Sequence, residues 1–216
     1  MDSVRAGSCL EQSVDPSLAS ARNFRTMLEA LARPGVILTL PVTPDAPKPL
    51  TPGLAALCLV LADMDAPLWL DPSAGPVCEA WLRFNCGCPL TGNPAQSALA
   101  CVLEPADMPP LRSFAQGDPE YPDRSTTLFL SVQGLGEGSC ADSGEGRTGR
   151  LAGSGRVRLA GPGIQEERML LVSGLPGDFW DQWGDNSAGY PLGVDVFLVC
   201  GGRLAGLPRS VRAEVL

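Results

Sequence analysis

The stretch PLGVDVFLVCGGRLAGLPR (191–209) decides the fold of this chain, because it holds two apolar runs separated by two glycines. The first run, GVDVFLVC (193–200), is rich in β-branched and aromatic residues, and RLAGLP (203–208) follows at hairpin spacing. Gly201 and Gly202 tolerate the positive φ angles of a primed turn. The stretch therefore predicts an antiparallel β-hairpin near the end of the chain.

The first helix is predicted near the beginning of the chain, where Asp15 and Pro16 form a cap and first-turn pair. Apolar residues then recur at i, i+3, i+4 and i+7, which places them on one face of the helix. These residues are Phe24, Met27, Leu28 and Leu31. Arg33 precedes Pro34, and a residue before proline disfavours the helical region, so the helix is expected to end near Ala32.

Helices and strands alternate between these two ends. Strands are predicted at 35–40, 66–70, 98–103, 126–132, 156–161 and 170–174, and helices at 51–63, 77–84 and 178–184. This alternation predicts an α/β fold: a single domain over 1–216, with a mixed sheet flanked by helices.

A glycine-rich segment interrupts this pattern from Gly134 to Gly155. Large apolar residues are nearly absent there, so burial cannot offset the entropy of ordering the chain, and we expect a flexible surface insertion. Its GEGRTG (144–149) has the form of a dinucleotide-binding fingerprint. That fingerprint works between a strand and a helix N-terminus, and neither is predicted beside it, so we do not expect nucleotide binding there.

Composition excludes several classes of function. The formal net charge is -8, which opposes binding to nucleic acid or to an anionic membrane. The chain contains no histidine, the usual general base at neutral pH and a common metal ligand. Its single lysine, Lys48, lies in the proline-rich stretch 41–53 and is expected to be exposed, not buried as a Schiff-base lysine would be. We therefore predict no catalytic residues.

Eight cysteines are distributed mostly through apolar runs, and no charged segment followed by an apolar one begins the sequence. These features favour a reduced, cytoplasmic protein. Cys86 and Cys88, separated by Gly87, form the closest pair. A CxC pair without histidine is weak evidence for zinc, so buried thiols are the favoured interpretation and no metal site is predicted.

Five blocks of sequence, in order, carry a family resemblance. They are FRTMLEALARPG (24–35), LADMDAPLWL (61–70), LRFNCGCPL (82–90), GPGIQEERM (161–169) and PLGVDVFLVCGGRLAGLPR (191–209). Together they resemble the H subunit of the bacterial carbon–phosphorus lyase core complex. The resemblance implies a fold similar to pyridoxal-phosphate-dependent transferases and a homodimer that assembles with the G, I and J subunits. It also implies a role in forming alpha-D-ribose 1-methylphosphonate 5-triphosphate from MgATP and methylphosphonate. Because Lys48 is the only lysine, we expect this architecture without covalently bound pyridoxal phosphate. We predict no other cofactor.

Charged residues in or beside these blocks are candidates for binding a ligand or a partner. They are Arg25, Arg33, Arg83, Glu166, Glu167, Arg168, Asp195 and Arg209. A guanidinium group suits a phosphate, a phosphonate or a carboxylate. Adjacent Glu166 and Glu167 point to different faces, so an ion pair through Arg168 is favoured over acid–base chemistry. Arg209 is a candidate anchor for the end of the chain, and Asp195 needs a hydrogen-bonding partner if it is buried.

Two other blocks contain polar residues that suggest weaker functional interpretations. Asp63 and Asp65 could contact Mg²⁺ through water, although closing a turn is the favoured role. Asn85 stands where some relatives carry histidine, so catalysis is not expected to depend on an imidazole there.

Two hypotheses follow. In the first, the chain is a non-catalytic subunit of the carbon–phosphorus lyase core complex. In the second, it is an enzyme or ligand-binding subunit whose arginines line a cleft between two protomers and bind phosphate or phosphonate.

Overall fold

A computed structural model describes residues 15–138 and 155–216. The α-helices in these ranges are α1 (Pro16–Ala32), α2 (Pro52–Leu61), α3 (Gly75–Cys86) and α4 (Phe179–Ala188). The strands of the larger sheet are β1 (Leu38–Thr39), β2 (Leu68–Leu70), β3 (Leu90–Thr91), β4 (Leu99–Val102), β5 (Thr127–Ser131), β9 (Asp195–Cys200) and β10 (Arg203–Leu207). The strands of a second sheet are β6 (Gly134–Glu137), β7 (Gly155–Ala160), β8 (Arg168–Ser173) and β11 (Arg212–Val215).

The larger sheet is mixed, as predicted, with the strand order β1-β10-β9-β5-β4-β2-β3. Its neighbouring strands β3, β2, β4, β5 and β9 are parallel to one another. Strand β10 is antiparallel to β9, and β1 is antiparallel to β10. The predicted hairpin is confirmed: Arg203 pairs with Cys200, and Gly201 between them has a φ of 61°. A glycine is needed there because a left-handed backbone is unfavourable for other residues.

The two faces of the larger sheet are covered differently. Helices α1, α2 and α3 pack on one face, where Phe129 and Phe197 point into the core. The second sheet and α4 pack on the other face against Leu128 and Leu198. Such alternation along β5 and β9 follows from the two-residue period of a strand. The prediction of a sheet flanked by helices is therefore confirmed for one face. On the other face it missed the second sheet, which packs there together with α4.

The second sheet is antiparallel, with the strand order β11-β7-β8-β6. Its apolar side chains alternate with polar ones, so Val157 and Leu159 are buried while Arg156 and Arg158 are partly exposed. One side of this sheet thus packs on the core and the other meets solvent, which is typical of antiparallel sheets.

Helix α1 has the predicted ends, and its apolar face is only partly buried. Asp15 caps it by accepting a hydrogen bond from the Ser17 N–H (2.9 Å). Met27 is buried, but Phe24 is 44% exposed and Leu28 is 52% exposed. The cause is close packing on β10: a Cβ atom at Gly206 would lie 2.6 Å from the carbonyl oxygen of Ala30. The side of the helix that carries Ala30 faces β10, and Phe24 and Leu28 remain exposed.

Helix α2 confirms the expected start, since the Thr51 hydroxyl caps the Leu54 N–H (3.4 Å). The strand predicted at 35–40 is shorter, covering only Leu38–Thr39. The helical turn predicted at 178–184 is the longer helix α4. Lys48 is exposed, as expected.

Both ends of the predicted insertion belong to strands. Gly134–Glu137 forms β6 and Gly155 begins β7, because both pair with β8. The rest of the predicted insertion, 139–154, and the GEGRTG motif lie outside the described residues. Among the helices that the structure describes, none is long and apolar enough to cross a membrane.

Candidate functional site

Three of the sequence blocks meet at one place, which we call the α1 junction: the end of α1 with the turn after it (30–35), Gly206 of β10, and the turn at 161–163 with the start of β8. The Gly35 N–H donates to the carbonyl of Gly206 (3.2 Å). A Cβ at Gly163, whose φ is 83°, would lie only 2.3 Å from the carbonyl oxygen of Ala32. Glycines in these blocks therefore permit backbone to approach backbone.

Arg168 begins β8 and lies against this junction. A Cβ at Gly35 would meet the Arg168 Cδ at 3.0 Å, so the aliphatic part of the arginine packs on the turn after α1. Its Nε is buried and has no hydrogen-bond acceptor within 15–138 and 155–216. A buried donor without an acceptor costs free energy. Because Arg168 as a whole is partly exposed, an oxygen from outside the chain could meet its guanidinium, but it would reach Nε only after neighbouring side chains move.

Glu167 pairs with a different arginine from the one predicted. Its Oε2 lies 3.3 Å from Nε of Arg158, and Arg158 also contacts Glu214 at 3.3 Å. The predicted ion pair through Arg168 does not involve Glu167. Alternate residues on neighbouring antiparallel strands face the same side, which places Arg158 beside Glu167. All three side chains are more than a third exposed, so each pair contributes at most about 1 kcal/mol. Glu166 is exposed.

The other arginines do not join Arg168. Arg33 is exposed near the α1 junction and is bound to Glu29 at 2.8 Å, an i, i+4 pair on α1. Arg25 is exposed on α1. Arg83 is exposed on α3, which lies toward the opposite edge of the larger sheet. One protomer therefore does not gather these side chains into a single cleft.

Asp195 and Arg209 form a structural pair. Nη2 of Arg209 lies 2.5 Å from Oδ2 of Asp195, and the Arg209 N–H donates to Oδ1 at 2.8 Å. The guanidinium also donates to the Ser125 hydroxyl and to the carbonyl of Pro122. The expectations that Arg209 anchors the chain end and that Asp195 finds a partner are both confirmed. With its donors occupied in this way, Arg209 holds the loop before β5 to the end of β10.

Two of the remaining blocks meet at the amino ends of β2 and β3. Asp63 closes a turn by accepting from the Asp65 N–H (2.9 Å), and Asn85 donates to the carbonyl of Trp81 (2.8 Å). Both residues have local structural roles, which confirms the turn at 63–65. Among the described residues, no group of three or more His, Cys, Asp or Glu is placed to hold a metal ion.

The CxC pair is close to these residues, at the end of α3. Cys86 donates a hydrogen bond to Cys88, which lowers the pKa of Cys88 to about 7. Burial opposes this shift, and the nearby positive charge of Arg83 supports it. The same hydrogen bond raises the pKa of Cys86 well above its usual range.

Sequence reasoning missed Asp71, which directly follows β2. Its Oδ2 accepts hydrogen bonds from the Leu103 N–H (3.0 Å) and the Glu104 N–H (2.9 Å), and its Oδ1 accepts from the Ser73 N–H (2.9 Å). Strands β2 and β4 are neighbours in the sheet, but β2 leads to β3 on one side and β4 leads to β5 on the other. Ligands of parallel sheets often bind at the carboxyl ends of two such strands. Here the Asp71 carboxylate occupies that crevice. In the sequence, this residue could have been found as an aspartate that directly follows the predicted apolar strand 66–70.

The fold and its sites thus define an α/β protein in which many of the charged side chains described above hold backbone segments together. A sequence model of the family "Bacterial phosphonate metabolism protein (PhnH)" matches residues 12–214. The chain is 33% identical over 201 residues to "Alpha-D-ribose 1-methylphosphonate 5-triphosphate synthase subunit PhnH" of Rhizobium meliloti (strain 1021), covering 93% of this chain and 92% of that protein. The chain belongs to this bacterial phosphonate metabolism family.

A second relative matches over a shorter range. The "Putative C-P lyase subunit protein HtxG" of Stutzerimonas stutzeri is 37% identical over 99 residues, which cover 46% of this chain and 43% of that protein. The family resemblance inferred from the five blocks is therefore confirmed.

Proposed function

We propose that this chain is a non-catalytic subunit of a cytoplasmic carbon–phosphorus lyase core complex that acts in the catabolism of organic phosphonates. In this role it supports formation of alpha-D-ribose 1-methylphosphonate 5-triphosphate from MgATP and methylphosphonate, and its partners are a second copy of itself and the G, I and J subunits. The proposal rests on the relative that carries the name of a synthase subunit. The likeness to pyridoxal-phosphate-dependent transferases remains a prediction.

The observation that carries the proposal is the apolar outer surface of the helical layer. Val77 and Phe84 are 64% and 87% exposed on α3, and Trp81 lies on the same helical face. On α1, Phe24 and Leu28 are likewise exposed. Contiguous apolar surface on a helix is typical of a protein–protein interface.

The polar side chains support the same conclusion. The chain has no histidine, and the described carboxylates Asp63, Asp71 and Asp195 accept backbone or arginine hydrogen bonds. A general base or a nucleophile needs a free, positioned group beside a substrate. These three carboxylates are instead engaged in holding turns and strands.

Reconstitution tests this proposal. Tagged chain co-expressed with the G, I and J subunits should capture all three, and turnover of MgATP and methylphosphonate should require the chain. Phe84→Ser and Leu28→Ser should weaken capture, whereas Val215→Ser, at a position 55% exposed on the second sheet, should not. Turnover by the isolated chain, or full turnover without it, would refute the proposal.

A second candidate function is favoured by Arg168 alone. Its guanidinium is partly exposed, and its Nε has no acceptor within the described residues, so it suits a phosphate or phosphonate bound at a homodimer interface, the alternative raised by the sequence. Calorimetry with ATP, methylphosphonate and phosphate would separate the two functions. Binding heat that is lost in Arg168→Gln and kept in Arg212→Gln would establish the ligand site. If none of the three compounds gives heat, the result favours the non-catalytic subunit.

A further inference from the structure

A cavity beside α4 takes no part in the functions proposed above. We call it the α4 cavity; its volume is about 200 Å³, and it lies between one face of α4 and the chain segment 110–112. This segment enters the short 3₁₀ turn Leu111–Ser113. Helix α4 packs on the face of the larger sheet opposite to α1, α2 and α3, so the cavity is separate from the exposed apolar surface of the helical layer.

Hydrogen bonds fix both walls of the α4 cavity. The Leu111 N–H donates to Oε1 of Gln182 (2.8 Å), which ties segment 110–112 to α4. Nε2 of Gln116 donates to the carbonyl of Leu111 (2.9 Å). The Asn186 side chain, which also lines the cavity, donates to the Val194 carbonyl (3.0 Å) and accepts from the Val194 N–H (2.8 Å). Because these bonds are made within the protein, the walls are already in place when a ligand arrives, which lowers the free-energy cost of binding.

Three charged side chains line the α4 cavity. Asp178 and Asp185 are exposed and lie on the same helical face as Gln182. Arg112 lies on the other wall and is also exposed. Within 15–138 and 155–216, none of these three charged groups forms a hydrogen bond or an ion pair. Asp178 directly precedes α4, but its side chain does not cap the helix. The cavity therefore presents negative charge on one wall and positive charge on the other, and both are available to a ligand.

We propose that the α4 cavity binds a small zwitterion, in which a short carbon chain joins an ammonium group to a carboxylate or a phosphonate. The ammonium group pairs with the α4 wall, where Asp178 and Asp185 supply carboxylates. The acidic group pairs with Arg112, whose guanidinium can donate two parallel hydrogen bonds to it. Pro110 and the buried Leu111 provide apolar surface for the carbon chain.

The charges and the volume of the cavity together select this class of ligand. A plain anion is repelled by the two carboxylates, and a plain amine is repelled by Arg112, whereas a zwitterion complements both walls. Drug-sized ligands occupy cavities of roughly 300–1,000 Å³. A cavity of about 200 Å³ therefore admits only a smaller molecule.

Nuclear magnetic resonance of the isotope-labelled, full-length chain tests this site. The probes are β-alanine and its phosphonate analogue 2-aminoethylphosphonate, with ethylamine, propanoate and ethylphosphonate as controls that lack one charged group, all titrated at constant pH. The Leu111 N–H and the side-chain amide of Gln182 report binding because they lie at the cavity wall. We expect these signals to shift and saturate with at least one zwitterion. Its dissociation constant should be about fivefold lower than those of the controls, since an exposed ion pair contributes up to about that factor. A response to only one zwitterion identifies the acidic group that the site accepts.

Matched variants separate the cavity from the general charge of the surface. Asp178→Asn combined with Asp185→Asn should raise the dissociation constant of the zwitterion about fivefold. Asp181→Asn combined with Asp123→Asn removes the same charge from exposed positions that do not line the cavity, and it should change this constant by less than about twofold. Arg112→Gln should weaken binding of the zwitterion but not of ethylamine, because only the zwitterion has an acidic group.

Arg203→Gln, which removes an exposed arginine on β10, is the control for Arg112→Gln and should leave binding unchanged. The same spectra show whether each variant is folded. Failure of both zwitterions to give saturable shifts, equal affinity for ethylamine and the zwitterions, or equal losses in the two aspartate double variants would overturn the proposal. These titrations use the chain alone, so their failure would leave the proposed subunit role intact, which capture of the G, I and J subunits tests separately.

Discussion

Replacing Gly206 of β10 by alanine should destabilise the protein. The new Cβ would lie 2.6 Å from the carbonyl oxygen of Ala30, 2.7 Å from its carbonyl carbon and 2.9 Å from the Leu31 nitrogen. These are backbone atoms of a helix, so no side chain can rotate away. Helix α1 and β10 must separate by several tenths of an ångström, which loosens the packing of buried Met27 as well.

The expected magnitude follows from overpacking in protein cores, which costs about 1–3 kcal/mol. For a chain of this size that corresponds to a fall in melting temperature of roughly 2–4 °C per kcal/mol. Urea unfolding followed by tryptophan fluorescence measures the free energy directly. We expect a lower midpoint with an unchanged slope, because the surface exposed on unfolding stays the same.

Gly136→Ala is the matched control. Gly136 also lies within a strand, and a Cβ there would meet the nearest atom, Cβ of Leu171, at 3.5 Å, an ordinary contact. This variant should be as stable as the wild type or slightly more so, since alanine lowers the entropy of the unfolded chain. Equal stabilities for Gly206→Ala and Gly136→Ala would refute the argument that close backbone approach sets the position of α1.

Three further changes test other parts of the structure. Asp71→Ala leaves buried backbone N–H groups without an acceptor, so the free energy of unfolding should fall by roughly 1–3 kcal/mol in urea titrations. Asp195→Ala removes the partner of a largely buried guanidinium and should cost up to about 3–5 kcal/mol in the same measurement. Cys86→Ala removes the hydrogen bond that lowers the pKa of Cys88, so thiolate absorbance from Cys88 should no longer develop as the pH rises through about 7 but only at higher pH.

Each of these changes has a defined contrary result. Asp63→Ala, at an exposed turn, should change stability by no more than about 0.5 kcal/mol, and an equal loss at Asp71 and Asp63 would contradict the role of the filled crevice. A stable Asp195→Ala variant would show that the Arg209 pair is dispensable. An unchanged titration in Cys86→Ala, with Cys88→Ala as the blank, would contradict the hydrogen bond as the cause of the lowered pKa.

Local signals predicted the parts of the fold that local physics determines. The ends of α1 follow from Asp15 at one end and from Arg33 before Pro34 at the other, and the final hairpin follows from Gly201. Such features depend on neighbours in the chain. The buried face of α1 did not follow, because it depends on Gly206, which is far away in sequence and admits only the small side of the helix.

The second sheet and the candidate site were harder to predict for the same reason. Strand β6 is short and glycine-rich, and its pairing partner β8 follows more than thirty residues later. Arg168 was recognised as a candidate, but its packing on Gly35 joins two blocks that the sequence separates by more than a hundred residues. The Glu167–Arg158 pair required the register of β7 and β8, which composition does not reveal.

The two outermost strands of the larger sheet constrain how this protein can meet others. Both β1 and β3 are only two residues long, and each borders an open side of the sheet. Edge strands this short offer too few unpaired backbone amides to pair with a strand of another molecule, which protects against edge-to-edge aggregation of the larger sheet. A partner that docks on the larger sheet must therefore recognise it by the shape and chemistry of side chains, which ties specificity there to residues that evolution can change one at a time.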